Sequence, residues 1–176
     1  MKKGKKLTVS KVLSGFWKKS DGYINLQLGA KADSHCITIG AGSYLAKPDE
    51  YFGVNVTAEI EKPCDVRVSI KDFSVPTNLV ELDNALLESL KAILRGEILY
   101  VGCLGGTGRT GMYLGLLAGL LVPVSVLKYN GDRVGYVRNH YKSNAVETDA
   151  QEDFVLRYSY SKACKKLAKE IQKSYK

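Results

Sequence analysis

Histidine and cysteine, the usual zinc ligands, are few: the 176 residues hold two and four. Cys36, Cys64, Cys103 and Cys164 form no Cys-x-x-Cys pair, and neither His35 nor His140 stands at ligand spacing from a thiol, so neither a metal site nor a cofactor is expected. Long hydrophobic runs are also missing. The nearest to one, Met112 to Leu127, is interrupted by Gly115, Gly119, Pro123 and Ser125 and is too short for a typical spanning segment, so no stable membrane insertion is expected. The N-terminal lysines lead to Gly15-Phe16-Trp17-Lys18-Lys19 and not to an apolar signal core, which points to a cytoplasmic location with reduced thiols. With only four prolines, 45% hydrophobic residues and no linker-like stretch, residues 1–176 read as one folded domain.

Acidic residues are scarce at both ends. Seven lysines precede the first acid, Asp21, and the segment from Arg157 to Lys176 carries seven basic residues around a single Glu170. The excess behind the net charge of +8 is therefore concentrated in basic segments at about 1–20 and 160–176. These could steer an anionic partner, but no aromatic interleaving or nucleic-acid motif accompanies them, and a solvated role is the simpler reading. Trp17 and Tyr23 are expected to pack rather than stack on bases.

The hydrophobic pattern changes period along the chain. Segments 37–40, 54–57 and 66–70 read as short strands. Leu79, Leu82, Leu86, Leu90 and Ile93 recur at helical spacing, with Asn78 and Glu81 as a capping pair, so a helix is expected over about 78–94, ended by Gly96. Ile98 to Val101 reads as a buried central strand, and 110–121 as a helix apolar on nearly all sides. Thr148 and Gln151 form a capping box for a C-terminal helix carrying Phe154, Val155, Tyr158, Ala163, Leu167 and Ile171. This order predicts an α/β fold, a central mixed sheet flanked by helices.

The chemistry concentrates between the central strand and the apolar helix. Cys103, Leu104, Gly105, Gly106, Thr107, Gly108, Arg109 and Thr110 place a thiol and a guanidinium at the two ends of a glycine-rich turn. A thiolate is favoured where a helix N-terminus and a cation face it. Glycines let backbone N–H groups turn inward as an anion nest, and a guanidinium fork can hold two phosphoryl oxygens and the charge they develop. Taken singly, each piece has an ordinary reading: a core thiol, a tight turn, a surface charge. The nucleotide-binding Walker pattern fails because no lysine follows Gly108. Together they form a nucleophile beside a phosphate cradle.

The stretch from Cys103 to Gly111 resembles the Cys-x5-Arg-Ser/Thr signature of the cysteine-dependent protein tyrosine and dual-specificity phosphatases. Two further stretches agree in chain order, so the likeness covers about 37–158. Ile70 to Pro76 looks like the family's mobile general-acid loop, and the segment from Ala145 to Val155, with Arg138 before it, looks like the one whose glutamine positions the hydrolytic water. The resemblance implies Cys103 as nucleophile, residues 104–108 as phosphate cradle and Arg109 as clamp. It further implies Thr110 as an aid to thiolate departure, Asp72 as general acid and Gln151 as the water-positioning residue, whereas His35 and His140 are not expected to act.

The implied function is metal-free hydrolysis of phosphomonoesters, protein phosphotyrosine first with phosphoserine and phosphothreonine beside it. Phosphorylated proteins or peptides are then the partners, with RNA 5′-phosphates or phosphoinositides as alternative substrates. A catalytically silent phospho-binding module is a third reading. No oligomeric state is implied. Departures from the family pattern are Gly102 where histidine is usual, Ile70-Lys71 where Trp-Pro is usual, and no counterpart of the phosphotyrosine-recognition loop in the N-terminal third.

Overall fold

A computed structural model describes residues 22–127 and 132–175. The lysines of the first 20 residues, Trp17 and Lys176 lie outside the described residues. Five strands, β1 (Tyr23–Gln27), β2 (Cys36–Ser43), β3 (Phe52–Asn55), β4 (Val66–Arg67) and β5 (Leu99–Cys103), form one sheet in the order β1-β2-β5-β3-β4. β1 is antiparallel to β2, and all the other pairings are parallel, so the sheet is mixed as expected. Six helices accompany it among the described residues: α1 (Leu79–Leu94), α2 (Gly108–Leu121), α3 (Val124–Leu127), α4 (Arg133–His140), α5 (Asp149–Arg157) and α6 (Lys162–Ser174).

The parallel register explains the position of the site. Ser43 lies opposite Cys103, Asn55 opposite Gly102, and Arg67 opposite Asn55. The C-terminal ends of β2, β5, β3 and β4 therefore share one edge, and the segments that leave them converge there, as ligand-binding loops do in α/β sheets. β5 is fully buried, as its apolar run requires. Its residues alternate between two faces: Leu99, Val101 and Cys103 join the main core, and Tyr100 packs with Tyr44, Tyr51 and Ile60 in a smaller cluster.

The helices follow their capping chemistry. Asn78 accepts from the Glu81 N–H (3.1 Å) at the start of α1, while the Glu81 carboxylate accepts instead from Ser69 N (2.6 Å). The cap is worth about 1 kcal/mol. α2 buries 13 of its 14 residues, packing against β5, α4, α5 and α6. Burying Leu, Met or Tyr side chains on every face of α2 contributes on the order of 1.5–3 kcal/mol each.

Several elements differ from the sequence expectations. β1 was not among the expected strands, although Tyr23 to Gln27 alternates, with Ile24 and Leu26 buried. Its Tyr23 is 40% accessible. The strand expected at 54–57 spans Phe52–Asn55, and the one expected at 66–70 is reduced to the two-residue β4, beyond which Val68 N still donates to Asn55 O of β3. The polar segment after Gly131, for which no element was expected, forms α4, capped by Asp132 accepting from Gly135 N at 2.7 Å. The single C-terminal helix is two: α5 stops at Tyr158, and Ser161 caps α6 by accepting from Cys164 N.

Candidate active site

The central strand delivers Cys103 to the sheet edge, 97% buried, and residues 104–107 turn back into α2. Gly106 has φ +69°, and a Cβ there would stand 2.5 Å from the Gly42 carbonyl carbon, so both dihedral and space demand glycine. That turn points Gly106 N at Cys103 Sγ, 3.2 Å away, and Tyr141 Oη donates to Gly106 O at 2.5 Å from the other side. Leu104 and Gly105 are exposed, Thr107 is half-buried and its hydroxyl donates to Gly105 O, and Gly108 opens α2.

Arg109 is the best-held side chain of the site and is 1% exposed. Its Nη1 donates to Glu59 Oε2 (2.8 Å) and Ile70 O (2.9 Å), and its Nη2 donates to Glu59 Oε1 at 2.6 Å. Asp72 Oδ1 lies 3.4 Å from Nη2. Burial alone would pull the guanidinium down, but the Glu59 hydrogen bonds, with the charges of Cys103, Glu59 and Asp72, outweigh it and push Arg109 up. It remains a cation. Its hydrogen bonds to Glu59, aided by the Arg109 charge and opposed by partial burial, hold the Glu59 carboxyl below its usual range.

Glu59 was not legible as a site residue, since nothing in Thr57-Ala58-Glu59-Ile60 stands out and Arg109 is fifty positions later. Its position comes from a buried polar turn after β3. Asn55 Oδ1 accepts from Thr57 N and Oγ1, Asn55 Nδ2 donates to Ile60 O, and Thr57 Oγ1 accepts from Ile60 N. The signal available was positional: residues just beyond the end of a parallel strand face the site.

The acid-loop residue is brought to the same place. Asp72 is about half exposed, accepts from Phe73 N at 3.0 Å and sits against Arg109. Phe73 has φ +58° and is 61% exposed, a conformation uncommon for a residue with a side chain. Gln151, in contrast, is fully buried. Its Oε1 accepts from Glu147 N (2.9 Å) and Thr148 N (3.3 Å), completing the capping box, and its Nε2 donates to Ser74 O of the acid loop at 3.1 Å. Its amide is thus engaged by the α5 cap and the acid loop, and one N–H is left over. Thr110 is buried with its Oγ1 unpaired, and Arg109 Nε is unpaired likewise; no other buried side-chain N or O atom lacks a partner among the described residues. His140 stacks on Tyr136 and pairs with Tyr136 O.

The absent histidine has a steric reason. A Cβ on Gly102 would meet the Tyr44 Cα at 2.6 Å and its N at 2.7 Å, in the turn (Tyr44–Ala46) that follows β2. Tyr44 is itself fixed, fully buried, its hydroxyl donating to Pro63 O at 2.8 Å. Any side chain at 102 would have to displace that backbone.

No family model matches the chain. Among curated proteins it is 38% identical over 94 residues to the uncharacterized protein MJECL20 of Methanocaldococcus jannaschii, covering 52% of this chain and 56% of that one. It is 37% identical over 94 residues to the uncharacterized protein MJ0215 of the same organism, covering 52% of each. The chain spans about half the length of the curated relatives it matches. Among solved structures it is similar to kinase associated phosphatase bearing a serine in place of its catalytic-site cysteine, with TM-score 0.53 and 13% identity, over 76% of this chain and 90% of that one. The chain shares the α/β fold of that phosphatase.

Proposed function

We propose that this chain is a cysteine-dependent phosphatase that hydrolyses phosphomonoesters through a cysteinyl-phosphate, with protein phosphotyrosine as its first substrate and phosphoserine or phosphothreonine beside it. One observation carries the reading: a buried thiol, an inward backbone N–H and a buried, fully charged guanidinium with an unpaired Nε share one strand-to-helix turn, with a carboxylate 3.4 Å from that guanidinium. This donor set matches an anion and not a cation.

In the first step the Cys103 thiolate attacks phosphorus and the P–O bond to the leaving group breaks. Asp72 gives its proton to the departing oxygen, while Arg109 and the loop N–H groups hold the phosphoryl oxygens. In the second step water attacks the cysteinyl-phosphate, Asp72 takes its proton, and the P–S bond breaks to return the thiolate. The Thr110 hydroxyl, which has no other partner, donates to that leaving sulfur. Gln151 contributes by holding the acid loop and directs its remaining N–H toward the attacking water.

The aryl preference is supported by three exposed apolar side chains on segments that leave parallel strands at the same end of the sheet: Leu45 after β2, Leu104 after β5 and Phe73 after β4. Apolar side chains at that end suit an aryl phosphate better than a sugar or inositol phosphate. The RNA or phosphoinositide reading draws on α6, where Lys162, Lys165, Lys166, Lys169 and Lys173 are all exposed at helical spacing, opposite the buried Cys164, Ala168 and Ile171.

Steady-state hydrolysis of an aryl phosphate in EDTA tests the proposal. Turnover that vanishes in Cys103→Ser and falls in Asp72→Ala supports the mechanism. Absence of turnover by folded, reduced protein, with phosphopeptide still bound, establishes instead the silent binding module.

A further inference from the structure

The segment between α4 and α5 departs from ordinary backbone rules. Val146 is buried, β-branched and held at φ +61°, an outlier for such a residue. Strain of this kind persists only where surrounding bonds over-determine it. Here Arg138, in the last turn of α4, supplies them. Its Nε donates to Ala145 O and its Nη2 to Val146 O, both at 2.9 Å, and Nη2 also pairs with Glu152 Oε2 at 3.3 Å.

The segment so gripped reaches both halves of the candidate site. Val146 N donates to Thr107 O at 3.3 Å, inside the phosphate cradle. A Cβ on Gly111 would stand 2.8 Å from Val146 N, and one on Gly108 would stand 2.8 Å from Glu147 Oε2, so the first turn of α2 is bare where the segment presses on it. Glu147 N and Thr148 N then donate to Gln151 Oε1, and Gln151 Nε2 donates to Ser74 O, two residues from Asp72. An unbroken series of hydrogen bonds thus runs from Arg138 to the acid loop, with a branch to the cradle.

We infer that Arg138 is a positioning residue: by clamping the strained 145–146 backbone it sets Gln151, and through Gln151 holds the acid loop with Asp72 over Arg109. A guanidinium fork is needed, since two adjacent carbonyls are bridged at once and an ammonium offers no planar pair of donors. The inference concerns the regulation of acid-loop placement and rests on the proposed phosphatase reading only for its kinetic consequence.

Two measurements on the whole chain test it. The first is backbone amide hydrogen exchange over residues 71–75 in the wild type, Arg138→Gln, Arg138→Lys and Gln151→Met, each confirmed folded by thermal unfolding. All three substitutions are expected to speed exchange in this loop several-fold, although Arg138 does not touch it. Unchanged exchange in folded Arg138→Gln and Arg138→Lys overturns the inference whether or not the protein turns over substrate.

The second is kcat/KM for p-nitrophenyl phosphate and for phenyl phosphate, whose poorer leaving group depends more on the acid. Arg138→Gln should lower the phenyl phosphate value about tenfold more than the nitrophenyl value, and should add nothing once Asp72 is alanine. An equal loss on both substrates, persisting in Asp72→Ala, shows a general structural effect and overturns the positioning role. Wild type without turnover defeats the phosphatase reading and leaves the exchange result to decide this one.

Discussion

The body of α2 and its first turn belong to one helix yet obey different rules. Along the body, polar groups that enter the core find partners: Tyr113 Oη and Ser89 Oγ lie 2.7 Å apart, Tyr160 Oη donates to Leu116 O, and Gln172 Nε2 donates to Leu121 O. At the first turn, Arg109 Nε and Thr110 Oγ1 are buried and unpaired. Both non-glycine residues with positive φ among the described residues, Phe73 and Val146, flank this turn through the acid loop and the 145–148 segment. Unsatisfied donors and backbone strain cost stability, and in this molecule they occur together where a phosphate would be held. The body stabilises the fold; the first turn gives up some of that stability, as the proposed anion site requires.

Substitutions at five positions would break or sharpen this contrast, taken from the largest effect to the smallest. Cys103→Ser should lower aryl phosphate turnover by about 10⁴-fold or more while leaving the unfolding transition nearly in place, since the change is small in volume. Steady-state kinetics beside calorimetry would check both halves, and a large loss of stability would make Cys103 a core thiol. Arg109→Lys should cost roughly 10²–10³-fold in kcat/KM, because a point charge replaces a fork. It should also lower stability, because Glu59 and Ile70 O lose their buried partner.

Gly102→Ala tests the steric account of the missing histidine. The new methyl would meet the Tyr44 backbone, so a loss of about 1–3 kcal/mol in denaturant unfolding is expected, and Gly102→His should not raise activity. A tolerated alanine would mean that the turn at Tyr44 yields easily.

Glu59→Gln probes the half-exposed arm of the clamp. The carboxyl of Glu59 is held below its ordinary value of 4.5, chiefly by its hydrogen bonds to Arg109. Its contribution is therefore complete above that pH and is lost as pH falls through the lower folded-state value. Melting temperatures of wild type and Glu59→Gln should differ at neutral pH and converge in acid. Parallel curves would show that the pair adds nothing to stability.

Tyr113→Phe is the control from the body of α2. Burial raises the Tyr113 phenol far above its usual range, so it stays neutral at any working pH. Ser89 Oγ keeps its bond to Ala85 O at 2.8 Å, so the cost should be about 0.5–1.5 kcal/mol with turnover unchanged. Lost activity would mean that the body and the first turn are coupled more tightly than the hydrogen bonds indicate.

The sequence by itself determined what depends on near neighbours. The caps at Asn78 and Thr148, the helical spacing from Leu79 to Ile93, the apolar central strand and the glycine-rich turn from Cys103 to Arg109 are all local patterns, and local sterics and hydrogen bonds act on them directly. The break between α5 and α6 and the helix at 133–140 escaped because Ser161 and Asp132 are short polar residues whose capping role shows only once the backbone has turned. Tertiary structure alone decided that Glu59 holds Arg109, that Tyr44 excludes a side chain at 102, that Gln151 is bound to Ser74, and that Arg138 clamps a strained Val146. Each joins residues brought together by parallel pairing or helix packing, and no spacing along the chain encodes a contact made across the edge of a sheet.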